Sequence, residues 1–335
     1  MKKHGKIVIF GALLLIFAAG PAFSQTPLDD LQAGVNSFSE DIAKGLPFNS
    51  TMGLNWSDAH IGQFLGIPPR FGVGFSLGFT TININAINNL LSLLGMGSSI
   101  DLNIGLPLPG YTVEGRLGGF VLPFDIGIKF GYIPSLNIPV ADVGLEYLLI
   151  GTDLRYSLLP KKIPVVKVSV GLGYNHMSGG ISKTLPMGQS FAFNGPNDTD
   201  YTLSITNPKV GLRWQTNVLE LKAQASFSLK VITPYLGLGL SYGWSEAGYQ
   251  VETDVRINGA PASQANDEVK QILGQAGLSN LGDTGFESII NNDAFNVRFF
   301  GGFSINLPMV RFDFTGMYNV ISSNWGVTFG TRFQL

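Results

Sequence analysis

Residues 295–335 read FNVRFFGGFSINLPMVRFDFTGMYNVISSNWGVTFGTRFQL. Three runs in this stretch alternate strictly. Phe295, Val297, Phe299, Phe303 and Ile305 share one parity, and Asn296, Arg298, Gly302 and Ser304 share the other. After the turn Leu307-Pro308-Met309, Val310, Phe312, Phe314, Tyr318 and Val320 alternate with Arg311, Asp313, Thr315 and Asn319. After residues 321–324, Trp325, Val327, Phe329, Phe333 and Leu335 alternate with Thr328, Arg332 and Gln334. Successive side chains of a strand point to opposite faces, so each run is a strand with one greasy and one wettable side. Nine to eleven residues is the length a tilted strand needs to cross the hydrocarbon of a bilayer.

The same grammar recurs upstream. Phe71 to Phe79, Phe124 to Tyr132, Val166 to Tyr174 and Leu219 to Leu229 place apolar residues on one parity, with Gly, Ser, Lys, Asp or Gln between them. Charged residues are only 13% of the chain, about half the share usual in soluble domains. A protein so poor in charge needs another way to satisfy its backbone and shelter its apolar surface. A closed sheet supplies one, because it leaves no edge unpaired. Connections alternate between short (121–123, 160–164, 231–234, 307–309) and long (82–110, 181–200, 246–293), as in barrels with short periplasmic turns and long outer loops. The expectation is an all-β chain: a transmembrane antiparallel β-barrel of 12–14 strands over residues 51–335. Its first strand, near Thr51 to His60, runs inward, and an additional strand is expected within 184–214, where Tyr201 to Trp214 also looks extended.

The amino-terminal end reads differently. Lys2, Lys3 and Lys6 precede the apolar run Ile7 to Ala19, and Ala22-Phe23-Ser24 offers small residues for cleavage, so residues 1–24 read as a signal peptide. Without its three lysines, 18 basic residues face 23 acidic ones, a formal charge of −5 that gives no electrostatic case for nucleic acid. Within 25–50, residues 27–44 carry Leu28, Leu31, Val35, Phe38 and Ile42 on one helical stripe, with Asp29 and Asp30 in the first turn. This segment is expected to form a helical plug or lid. Residues 84–95 form a second apolar stripe of Ile84, Ile87, Leu90, Leu91 and Leu94 in a long outer loop, either a cap or a ligand groove. A third helical stretch is expected from Asp267 to Ala276.

A barrel of this size, with a preceding segment and apolar helices in an outer loop, resembles the long-chain fatty-acid outer-membrane transporter family. That resemblance implies diffusion of hydrophobic compounds through a plugged barrel.

The inward parity collects Glu114, Arg116, Asp125, Lys129, Asp153, Arg155, Lys167, Glu220, Lys222, Arg298, Arg311, Asp313 and Arg332. In a dry lumen such groups must pair; in a wet one they set the field that a solute meets. The inward glycines leave room for an inserted segment or for a passage. One constellation could carry chemistry. His176 and Ser178 point the same way at the outer end of a strand, so an imidazole could take the serine proton. The pair is similar to the His-x-Ser dyad of outer-membrane phospholipases and lipid deacylases, with Gly179 where Asn usually follows and Asp142 or Glu146 as possible orienting groups. No metal or cofactor is expected. The leading expectation is a non-enzymatic outer-membrane channel or transporter for passive uptake of small hydrophobic molecules. Its expected partners are outer-membrane lipids, the barrel-insertion machinery and the ligand itself. A sealed structural or adhesive barrel is the alternative, and a lipid hydrolase at His176 and Ser178 the third.

Overall fold

A computed structural model describes residues 28–65, 69–82, 105–120, 122–138, 143–159, 165–184, 188–194, 200–273 and 285–335. The leader (1–24), the stripe at 84–95 and Asp142 lie outside the described residues.

The chain opens with helix α1 (Leu28–Asn49), which is followed by an irregular stretch to residue 65. The strands are β1 (Phe71–Ile82), β2 (Leu106–Gly118), β3 (Phe124–Ile138), β4 (Val143–Ser157), β5 (Val166–Thr184), β6 (Gly188–Asn194), β7 (Asp200–Phe227), β8 (Ile232–Ile257), β9 (Ala260–Pro261), β10 (Gly285–Asn306), β11 (Val310–Asn319) and β12 (Trp325–Gln334). A short helix α2 (Asp267–Leu273) lies between β9 and β10. Neighbours pair antiparallel in the ring β1-β2-β3-β4-β5-β7-β8-β10-β11-β12, which β12 closes onto β1. β6 and β9 add only short hairpin arms to β7 and β8.

The barrel therefore has ten strands, not the 12–14 expected. Two misreadings account for the difference. Tyr201 to Trp214 is not a separate strand: it runs on into the next as the 28-residue β7, because Gln215-Thr216-Asn217-Val218 contains no Gly or Pro to break it. Thr51 to His60 is not a strand and is not part of the wall. Gly53 (φ +80°) and Leu54 (φ +56°) both leave the extended region there. β1 begins at Phe71, so the wall starts well after residue 51.

The outer surface reverses the rule of soluble proteins. Ile128 is 62% exposed and Leu172 60%, while the inward Asp125 and Arg155 are fully buried. Outward rings also meet across strands: Phe303 and Phe314 stack at 5.1 Å, and Phe314 and Phe329 lie at 5.1 Å. Contiguous exposed apolar surface around a closed, fully paired sheet is the condition a lipid environment imposes. Assigning the short turns to the periplasmic end places the starts of β1, β3, β5, β8 and β11 there.

Candidate functional site: the barrel interior

α1 runs inside the ring. Phe38, Ile42, Ala43 and Leu46 are buried against Ile82, Tyr147, Leu149, Met177, Trp214 and Ala247, all on the outer-end half of their strands. Room for the helix comes from glycine. Pro47 passes so close to Gly243 that a Cβ there would lie 2.5 Å from the proline ring. Farther down, Met52 covers Gly110, and the Trp56 ring would meet a Cβ on Gly72 at 2.9 Å.

Below the helix, residues 49–61 descend toward the periplasmic end and bond to every strand of the ring. Asn49 donates to the Thr80 hydroxyl of β1 at 2.5 Å, and the Trp56 indole to Glu114 of β2 at 2.5 Å. Lys129 of β3 donates to the Ser50 carbonyl at 2.7 Å, and Arg155 of β4 to the Asp58 carbonyl at 2.7 Å. Lys167 of β5 meets the Asp58 carboxylate at 3.0 Å. Gln224 of β7 donates to the Trp56 carbonyl at 2.7 Å and Tyr235 of β8 to the Asn55 carbonyl at 3.0 Å. On β10 the Ser304 hydroxyl lies 2.7 Å from that of Ser57, and on β11 Asp313 accepts the Ser57 N–H at 3.2 Å. Arg332 of β12 meets Asp58 at 3.1 Å.

Asp58 is the hub of this layer, with Arg311 a further cationic partner. Burial alone would raise its carboxyl, but Lys167, Arg311 and Arg332 together hold it well below the usual carboxylate range. The Arg332 and Arg116 guanidiniums lie over the Trp56 ring at 4.6 and 5.6 Å.

Every charged residue assigned to the inward parity lies on the inner wall, and most are paired there. Arg116 bridges Asp125 (2.5 Å) and Asp153 (2.8 Å), Arg155 meets Asp125 at 2.8 Å, and Lys222 meets Asp153. Arg298 meets Glu220 at 2.7 Å, and Arg332 meets Asp313 at 3.0 Å. Lys167 and Arg311, at the periplasmic end, remain partly exposed.

Above this polar layer lies an apolar chamber of about 280 Å³, between α1 and the walls of β1, β2, β3, β4, β5 and β7. Phe38, Ile42, Ile82, Leu108, Tyr147, Met177 and Trp214 line it. Sequence reading missed the chamber because its lining comes from inward apolar positions that break the greasy-out pattern.

His176 and Ser178 lie on the outward face of β5 and are half-buried. The imidazole Nδ1 is 2.9 Å from the Asn217 side-chain oxygen of β7, to which Tyr174 also donates at 2.8 Å. The group orienting the ring is thus Asn217, not Glu146, which faces Gly180 across the β4–β5 ladder. Asn217 shares the parity of Leu219 and Leu221, but its register opposite His176 could not be read without the loop lengths. Among the described residues no hydrogen bond joins His176 to Ser178.

A closed ring of lipid-length strands with an apolar exterior and a charged interior defines a β-barrel of the outer-membrane kind. The chain belongs to the family of unknown function DUF6588, whose signature spans residues 116–335. No curated protein matches it. Among solved structures it is similar to the outer membrane protease OmpT from Escherichia coli, at 11% identity over 80% of this chain and 97% of that one, with a TM-score of 0.38. It is also similar to the outer membrane protein Omp33 from Acinetobacter baumannii, at 10% identity over 82% and 99%, TM-score 0.24. A third likeness is to the toluene transporter TbuX from Ralstonia pickettii, at 11% identity over 86% and 92%, TM-score 0.25.

Proposed function

We propose that this protein is an outer-membrane barrel that takes up small apolar molecules, with α1 and residues 49–61 as its internal plug. The observation that carries this reading is the chamber: an apolar space of about 280 Å³ seated on a layer of bonded polar groups. An apolar pocket with few polar groups is what a hydrophobic ligand needs. Passage to the periplasm then requires residues 49–61 to shift, because they bond to all ten strands. The test is binding of N-phenyl-1-naphthylamine to the purified protein in detergent, followed by fluorescence. Ile42→Asp puts a charge into the chamber and is expected to abolish the signal while the barrel stays folded. A wild-type protein that does not bind the probe would overturn the reading.

A sealed structural barrel is the second reading. It is favoured by that same ring of hydrogen bonds, which ties residues 49–61 to all ten strands. It predicts neither probe binding nor probe transfer across a proteoliposome membrane. The uptake reading predicts both.

A further inference from the structure

The wall is not paired evenly. β2 is bonded to β1 along its whole length, up to Leu106, and β3 is paired with β4 up to Ile138. Between β2 and β3, however, the ladder runs only from Gly118↔Asp125 to Val113↔Phe130. Toward the outer end, residues 106–112 and 131–138 face each other without a ladder. The sequence explains why. Continuing the register brings Pro109 opposite Pro134, and Pro107 lies two residues beyond Pro109. Proline has no N–H to give, and it is found in sheets at edges for that reason. All three prolines are exposed at this seam.

One side chain spans the seam at its lower end. The Tyr111 hydroxyl donates to the Tyr132 carbonyl and accepts the Tyr132 N–H at 3.2 Å. A phenol thus stands where the next backbone pair would form. Directly behind it is the chamber, whose lining includes Leu108, Pro109, Gly110 and Tyr111 from one lip and Ile133 from the other. In front are outward apolar residues of the wall, including Phe130 and Tyr132, while Leu77, exposed on the outer face, also borders the chamber. At its lower end the seam separates the apolar chamber from lipid by the Tyr111 side chain with its two hydrogen bonds, backed on the inner face by the Tyr147 ring, whose hydroxyl donates to the Tyr111 carbonyl at 3.5 Å.

We propose that this seam is a lateral portal, latched by Tyr111, through which neutral apolar molecules dissolved in the outer leaflet enter the chamber. The proposal rests on the uptake reading and adds the route and the ligand class. A charged solute is excluded, because it would have to leave water for the acyl region before reaching the seam. A neutral molecule small enough for the chamber has already left water when it partitions into the membrane.

The experiment measures how fast N-phenyl-1-naphthylamine, predissolved in the lipid of proteoliposomes, loads the protein, together with its equilibrium affinity. Tyr111→Phe keeps the ring and removes the latch. It is expected to load roughly thirtyfold faster, the weight of two net hydrogen bonds, with the loading rate read separately from the equilibrium affinity. Pro109→Val with Pro134→Val restores two N–H donors and is expected to load more slowly, again with the rate read separately from the equilibrium affinity. The anionic 8-anilinonaphthalene-1-sulfonate is expected not to load. Wild-type loading rates in both variants, with the probe bound normally at equilibrium, would overturn the portal and leave the uptake reading standing. Absence of probe binding at equilibrium would overturn both.

Discussion

Asp58→Asn isolates the plug from the wall. The native carboxylate is 1% exposed and faces Lys167, Arg311 and Arg332, with the Gln334 amide at 3.3 Å. Removing one partner of a buried ion pair costs about 3–5 kcal/mol, because the other charge is left unpaired. Here the cost is smaller. The Lys167 and Arg311 side chains keep 30% and 25% exposure and can turn to water, and Arg332 retains Asp313 at 3.0 Å. About 2–3 kcal/mol is expected, which makes undocking of residues 49–61 roughly thirty- to hundred-and-fifty-fold more frequent. A cysteine at the fully buried Ala59 reports this directly. In the regime where closing outpaces labelling, its rate of modification by a charged thiol reagent scales with the undocked population. The reagent should label Ala59→Cys, Asp58→Asn faster than Ala59→Cys alone by that factor, while heat-modifiable migration on a gel shows the barrel still folded. Equal labelling rates would refute the assignment of Asp58 as the plug's anchor.

Other outcomes follow from the same contacts. Asp58 is held below the usual carboxylate range, so its contribution to docking is complete above the unfolded-chain value of about 4 and fades only as pH falls below it. Labelling of Ala59→Cys, divided at each pH by the reagent's rate with a free cysteine because only the thiolate reacts, should therefore be the same at pH 5 and pH 7, and a rise of that ratio at pH 5 would count against the ion-pair account. Asp125→Asn removes the shared acid of Arg116 and Arg155, both fully buried side chains. It should lower barrel stability in detergent by about 3–5 kcal/mol, seen as an earlier unfolding midpoint in urea. Trp56→Phe leaves Glu114 with the Thr112 hydroxyl but without the indole donor, a loss of about 1–3 kcal/mol measurable by the same titration. Gly243→Val would drive a side chain into Pro47 and should displace α1, ending probe binding without unfolding the wall.

The barrel was legible because lipid on one side and buried polar groups on the other impose period two on every strand. The last three strands in particular could be placed from alternation and turn chemistry alone. Strand number was harder to read. At the outer rim β7, β8 and β10 continue as long paired arms, and turn-type residues such as Asn207-Pro208 and Asn291-Asn292-Asp293 do not end them, so the sequence does not show where the membrane ends. Thr51 to His60 was misread because Met52, Leu54 and Trp56 alternate like a strand. The inward charges were visible as a set. Their convergence on Asp58 was not, since Asp58 lies in the segment taken for wall. The prolines of the β2–β3 seam stand openly in the sequence at 107, 109 and 134, but their meaning depends on a register that only the fold supplies.

Ion conductance across a planar bilayer tests most directly whether residues 49–61 close the barrel. The intact protein is expected to carry no stepwise current, and a chain lacking residues 28–61, refolded into the same bilayer, is expected to show discrete open steps. Sustained conductance through the intact protein, equal to that of the shortened chain, would contradict the account.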